Sequence, residues 1–221
     1  DAKWRVEVRA AAEVITKLQD VPGLIVPSVA SGATVLATRI PPPLKIALCV
    51  GNDSYGEGMS SLPNCVADAT AIAARVEQVG FETTLLTNAD RSQIMREVRA
   101  VSKRLVDGAI NLFCFSGHGA EYDGVHYLLP LEMMDIEPAS FADEAVSLTR
   151  VMASFNKGAR DTINIMLLDC CRENKDDETF KGLPKGATWS GTGKGRTGKT
   201  FETPQDSQFF IGLACDPGSA A

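Results

Sequence analysis

A chain of 221 residues, 44% of them hydrophobic, can bury a full core and is expected to form one large domain or a domain with an appendage. Its net charge of −6 argues against nonspecific nucleic-acid binding and is compatible with a cationic substrate. No apolar run approaches the ~18 residues that span a bilayer and no signal peptide is visible, so no membrane partner is expected.

In chain order, residues 1–20 predict a helix whose narrow apolar stripe is Trp4, Val8, Ala11, Ile15 and Leu18. Val21–Pro22–Gly23 ends it. Two β-prone pieces follow, Leu24–Val26 and Thr34–Ile40, and then the triplet Pro41–Pro42–Pro43. A proline triplet continues neither a helix nor a central strand, so the domain boundary is set there: 1–43 an arm or linker region, 44–221 the main domain. The first forty residues admit three readings: a linker, an arm packed on the main domain, or the end of a preceding module. Asp1 in place of Met reads as the start of a fragment or processed product.

From Leu44 strands and helices alternate. Lys45–Val50 is a strand ending in Gly51–Asn52, and Pro63 to Val79 a helix with Val66, Ala69, Ala73, Val76 and Val79 on one face and Gly80 as its stop. Phe81–Leu86 is a strand. Asp90 with Gln93 fits a capping box, and Ile94, Val98, Val101 and Leu105 continue as one helical face. The apolar run Ala109–Phe115 ends in Ser116–Gly117–His118–Gly119, and a shorter apolar piece, Val125–Leu131, contains His126, read as a strand-face residue. A helix near Ser147–Phe155 precedes Asn164–Leu168, a strand that ends in Asp169–Cys170–Cys171–Arg172. Beyond it Glu173–Glu178 is acidic, and Lys181–Lys199 is so rich in Gly, Lys, Thr and Ser that a mobile loop is expected. Phe209–Cys215 is the final strand. Strands alternating with helices imply right-handed crossovers and a mainly parallel sheet with helices on both faces, an α/β sandwich.

The strand ends carry the reactive groups. The cysteines (Cys49, Cys65, Cys114, Cys170, Cys171 and Cys215) lack zinc-finger spacing, and four fall in or at the end of apolar strands. Buried free thiols in the cytosol or a similar reducing compartment follow. Cys171 differs, because it shares a sheet edge with His118, 53 residues upstream. A cysteine attacks a carbonyl as its thiolate, and a neighbouring imidazole both lowers the thiol pKa and protonates the leaving amine. Adjacent strand residues point to opposite faces, so Cys170 and Cys171 cannot both meet one histidine. Cys171, on the face of Asp169, is the candidate nucleophile.

A histidine about 50 residues before a reactive Cys followed by Arg is a peptidase signature. Phe115–Ser116–Gly117–His118–Gly119 and Leu167–Leu168–Asp169–Cys170–Cys171–Arg172 resemble the two signatures of caspase-like cysteine peptidases. The strand ending in Gly51–Asn52 and the stretch Asn64–Cys65–Val66–Ala67–Asp68–Ala69 are similar to the first strand and helix of that group. Among its branches the chain looks most like a paracaspase, since Arg172 and the acids after it resemble that pattern, whereas metacaspases usually follow their cysteine with His-Ser-Gly. The resemblance covers 44–180 (large-subunit-like) and resumes within 205–221 (the start of a small-subunit-like part), with 181–204 as the basic loop between them.

The resemblance implies a caspase-like three-layer sandwich, His118 and Cys171 as catalytic dyad, and an oxyanion site formed by the backbone N–H groups of Gly119 and Cys171. Caspases that cut after aspartate carry a glutamine two residues before the nucleophile. Here Asp169 stands there, and Asp68 matches the second acid of paracaspase and metacaspase pockets, with Cys65 and Ser116 as neutral walls. Two carboxylates favour a basic side chain, so cleavage of protein or peptide substrates after Arg, or after Lys, is expected. Arg196, in the basic loop, is the first candidate for self-cleavage. No metal site or cofactor is required of a paracaspase. Calcium, which metacaspases often need, stays open because Asp143, Glu144 and Asp176–Asp177–Glu178 could supply oxygen ligands. The family's small subunit continues past the strand that here ends near Cys215, so a homodimer is expected only if the missing elements come from elsewhere. Two rivals remain: a calcium-dependent metacaspase with the same dyad, and a catalytically silent scaffold of the same fold.

Overall fold

Apolar runs of the sequence lie side by side as β1 (Lys45–Gly51), β3 (Ile110–Ser116) and β7 (Ile163–Asp169). With β2 (Glu82–Thr87) and β9 (Gln208–Leu213) they make a five-stranded sheet in the order β2-β1-β3-β7-β9, with every pair parallel. Residues of β1 and β3 are buried on both faces along nearly their whole length, which is why they read as nearly unbroken apolar runs. The structure is a computed structural model that describes residues 42–56, 59, 61–131, 133, 138–170, 188–189 and 208–213. All the described elements belong to the unit running from Leu44 to Ala221. The helix expected over 1–20 and the β-prone pieces up to Ile40 lie outside the described residues.

One face of the sheet carries α2 (Arg91–Arg104) and α4 (Leu148–Phe155). The capping box expected at the start of α2 forms: Asp90 Oδ1 accepts the Gln93 N–H at 2.8 Å, and Gln93 Oε1 accepts the Asp90 N–H at 2.9 Å. Ile94, Val98 and Val101 of α2 and Val151, Met152 and Phe155 of α4 meet Leu48, Val50, Phe113, Phe115, Met166 and Leu168 in the main core. Each such buried side chain contributes about 1.5–3 kcal/mol relative to exposure.

The opposite face carries α1 (Cys65–Gln78), packed over β1 and β3. The arrangement is the expected three-layer α/β sandwich. Among the described residues no helix is long and apolar enough to cross a membrane.

A second sheet, order β6-β5-β4-β8, stands beyond the carboxyl end of β3. It comprises β4 (Gly119–Tyr122), β5 (Val125–Leu128), β6 (Val146–Ser147) and β8 (Thr188–Trp189), each neighbouring pair antiparallel. His126 lies on β5, as expected. Gly119–Tyr122 is not visible as a strand in the sequence, being short and only half apolar. Thr188–Trp189, inside the segment read as a loop, pairs with Glu121 and Ala120. A separate core of Tyr55, Leu62, Cys65, Tyr127, Leu129 and Phe141 lies here, with the Tyr127 and Phe141 rings edge-to-face at 5.2 Å.

Gly51, at the end of β1, sets how closely α1 approaches the sheet. A Cβ at this position would stand 2.5 Å from the Cys65 carbonyl oxygen and 2.8 Å from both Val66 Cα and Ala69 Cβ. Backbone cannot yield there as a side-chain tip can, so Gly51→Ala is expected to lift the first turns of α1 at a cost of about 1–3 kcal/mol. A thermal melt should show the midpoint lowered by roughly 3–10 °C. An unchanged midpoint would mean that α1 does not rest on Gly51.

Candidate active site

Register partners in a parallel sheet share a face, so Gly51, Ser116 and Asp169 form a row across the carboxyl ends of β1, β3 and β7. The contact of Gly51 with α1 identifies this as the α1 face, and the first turn of α1 carries Cys65 and Asp68. Ser116 Oγ donates a hydrogen bond to Asp169 Oδ2 at 3.2 Å. Cys65 is fully buried, while Asp68 and Asp169 are half-buried. The residues expected to form a specificity pocket therefore gather at one end of one face.

Cys114, two residues below Ser116 on that face, registers the charge above it. Its thiol is pushed well above the usual range, first by its hydrogen bond with Cys49, then by burial, and further by Cys49 and the carboxylates of Asp169 and Asp68. The fields of both acids thus reach the floor beneath Ser116. Cys114 is therefore an inert core thiol, and Cys49 is buried beside it as a free cysteine.

The turn that carries His118 is fastened on both sides. The Gly117 N–H donates to the Asp169 carbonyl at 3.1 Å, and the His118 carbonyl accepts from the Leu129 N–H at 2.9 Å. The His118 N–H donates to Tyr55 Oη at 3.0 Å, and the two rings stand 4.6 Å apart, tilted by 60°. His118 is 3% exposed.

The end of β7 seats directly on this turn. A Cβ at Gly119 would stand 2.9 Å from Cys170 Cβ and 3.1 Å from its Sγ, so only glycine permits the contact. Cys170 faces the main core with Phe115 and Leu168, 6% exposed, as strand alternation requires of the residue after Asp169. Cys171 itself lies outside the described residues, as do Arg172, Asp176, Asp177, Glu178, Arg196 and Cys215. Asp143 and Glu144 are on the short helix α3 (Phe141–Glu144). Among the described residues no group of three or more His, Cys, Asp or Glu side chains gathers as a metal site.

Sequence reasoning missed the loop after β1. The Asn52 side chain exchanges two hydrogen bonds with the Ala89 backbone, at 3.0 and 2.8 Å, while the Asn52 backbone N–H donates to the Ser116 carbonyl at 2.9 Å. Asn88 Oδ1 accepts the Asp53 and Ser54 N–H groups at 3.0 and 3.1 Å. Asn88 has φ 51°, a left-handed conformation that asparagine tolerates better than most residues. The only sequence signal was two asparagines, each just past a strand, with a tyrosine three residues after the first. No periodicity distinguishes that from an ordinary turn.

A model of the caspase domain family matches residues 44–221. The chain belongs to the caspase domain family. Members of this family are cysteine peptidases, and residues 44–221 are the caspase domain of this chain. The chain is 25% identical over 137 residues to mouse (Mus musculus) mucosa-associated lymphoid tissue lymphoma translocation protein 1 homolog, a match covering 62% of this chain and 16% of the relative. It is 24% identical to the human (Homo sapiens) protein with the same coverage. It thus spans a small part of the length of these relatives. Among solved structures, a crystal structure of a protein from Geobacter sulfurreducens is similar in fold, with TM-score 0.50 and 22% identity, covering 59% of this chain and 52% of the other.

Proposed function

We propose that this caspase domain is a cysteine endopeptidase of paracaspase type that cleaves after a basic residue, Arg in preference to Lys. The observation that carries the reading is the junction of two strand ends. Asp169 accepts the Gly117 N–H and Cys170 packs on Gly119, so the peptide leading into Cys171 starts against the His118 turn. An imidazole next to a thiol favours the thiolate and then serves as general acid and base.

In this reading the Cys171 thiolate attacks the scissile carbonyl carbon, and the oxygen takes the negative charge. The N–H groups of Gly119 and Cys171 stabilise that oxyanion. Collapse of the intermediate expels the amine, protonated by His118, and leaves a thioester on Cys171. A water molecule gives its proton to His118, attacks the thioester, and releases the acid with the thiol restored. Asp68 and Asp169, beside Ser116, receive the substrate guanidinium before the scissile bond. Arg exceeds Lys because its planar fork can engage carboxylate oxygens pairwise.

The test is a panel of fluorogenic peptides ending in Arg, Lys or Asp, run with calcium and with chelator. The expected result is kcat/KM for Arg on the order of 10²-fold or more above Asp, with Lys between them. Equal rates with calcium and chelator support the paracaspase type, whereas activity in calcium alone supports the metacaspase reading. A preference for Asp overturns the assignment of the pocket. A folded sample that forms no adduct on Cys171 with an Arg-directed covalent inhibitor overturns the enzyme reading in favour of a scaffold.

A further inference from the structure

We infer that Tyr55 is a positioning residue for His118, holding the imidazole at its working angle from the loop after β1. The inference rests on the dyad proposed above and adds a residue to it. Tyr55 Oη accepts the His118 N–H at 3.0 Å and donates its own proton to the Leu129 carbonyl at 2.9 Å, the same residue whose N–H reaches the His118 carbonyl at 2.9 Å. The three residues form a closed ring of hydrogen bonds, so His118 cannot shift along the turn without breaking two of them. The phenol oxygen also stands 2.6 Å from where a Gly117 Cβ would be, and so packs on the turn's backbone. Its ring, 4.6 Å from the imidazole and tilted by 60°, covers one side of His118 and limits rotation of the side chain.

Tyr55 also packs in the second core, but packing alone does not call for both hydrogen bonds. A tyrosine buried to 7% exposure needs one partner for its hydroxyl, and here it is both donor and acceptor. Burial is the main cause that raises its pKa far above the ordinary tyrosine value, so the phenol remains a donor throughout the working range of a peptidase. Its loop is in turn bolted down. Asn88 Oδ1 holds Asp53 and Ser54, the two residues before Tyr55, and Asn52 ties the loop's start to Ala89 and Ser116. A fixed loop is what a positioning residue needs, because error in its own place passes directly to the group it holds.

The test compares wild type with Tyr55→Phe, which keeps the ring and loses the hydroxyl, and with Asn88→Gly, which keeps the left-handed backbone and loses the two loop bonds. Each rate is normalised to active sites titrated with an Arg-directed covalent inhibitor, so a lower folded fraction does not count as a catalytic loss. Tyr55→Phe is expected to lower kcat about 10-fold or more with KM within about twofold, and Asn88→Gly to lower kcat by a smaller factor, about 3-fold. A merely structural tyrosine would lower the melting temperature and leave kcat per titrated site unchanged. That outcome in Tyr55→Phe, or in Asn88→Gly should the first variant not fold, overturns the inference. His118→Ala run alongside separates the two levels: wild-type turnover in that variant removes the dyad itself, whereas its loss beside an unaffected Tyr55→Phe removes only the role of Tyr55.

Discussion

Cys171→Ala and His118→Ala are each expected to lower hydrolysis of an Arg-ended peptide by at least on the order of 10³-fold, while Cys170→Ala is expected to stay within about tenfold of wild type. Cys171→Ala removes the attacking atom, so no pH restores the rate. His118→Ala leaves a thiol with no imidazole to favour its ionisation, and its residual rate is expected to rise with pH as hydroxide takes over deprotonation. Protonation of the leaving amine is still lost, so recovery remains partial. Cys170 is the critical contrast: it lies one residue from the proposed nucleophile, is 6% exposed, and packs with Phe115 and Leu168. Removing its sulfur costs packing of about 1 kcal/mol, and no reacting group. His118 is 3% exposed and stacked near Tyr55, so its alanine variant should also melt lower. Rates per mole of folded protein, together with melting curves, separate the effects. If Cys170→Ala is the dead variant and Cys171→Ala the active one, the strand presents its thiols the other way round and the site must be redrawn.

What sequence could deliver here was set by how local the cause is. Lys45–Val50 was expected as a strand and Lys45–Gly51 is one, because burial on both faces demands an apolar run that needs no partner to be seen. The capping box at Asp90 and Gln93 is equally local, two side chains answering two N–H groups within one turn. Alternation along β7 assigned Cys170 to the core and Asp169 to the opposite face, and the packing agrees. Gly119–Tyr122 escaped notice because its strand character comes from pairing with Val125–Leu128 and Thr188–Trp189, not from its own pattern. Tyr55 escaped for a stronger reason. Its hydrogen-bond partners lie 63 and 74 residues along the chain, and only the sheet order brings β1's loop to the turn after β3. The acids proposed for the pocket were named only by resemblance: Gly51 lets α1, with Asp68 in its first turn, descend onto the row of strand ends that holds Asp169, a contact that no spacing in the sequence encodes.

That shared row gives the second large effect. Asp169→Asn, nearly identical in shape, removes one negative charge where Ser116 Oγ meets Oδ2 at 3.2 Å. Losing a half-buried, charge-assisted partner of a guanidinium costs about 2–4 kcal/mol, so kcat/KM for an Arg peptide should fall on the order of 10²- to 10³-fold. A peptide with a neutral isostere of Arg should be nearly unaffected, and the preference between the two collapses. Asp68→Asn on α1 should act in the same direction, and the double variant should lose less than the product of the two, because both acids serve one guanidinium. Asp169 is two residues from Cys171, so damage to the nucleophile must be told apart from damage to the pocket. The rate at which iodoacetamide alkylates Cys171 does so, since that reagent carries no basic group. Unchanged alkylation with lost Arg preference places the effect in the pocket. If Arg and its neutral isostere keep their wild-type ratio in Asp169→Asn, the negative end of the sheet does not choose the substrate, and the basic specificity falls even if the peptidase stands.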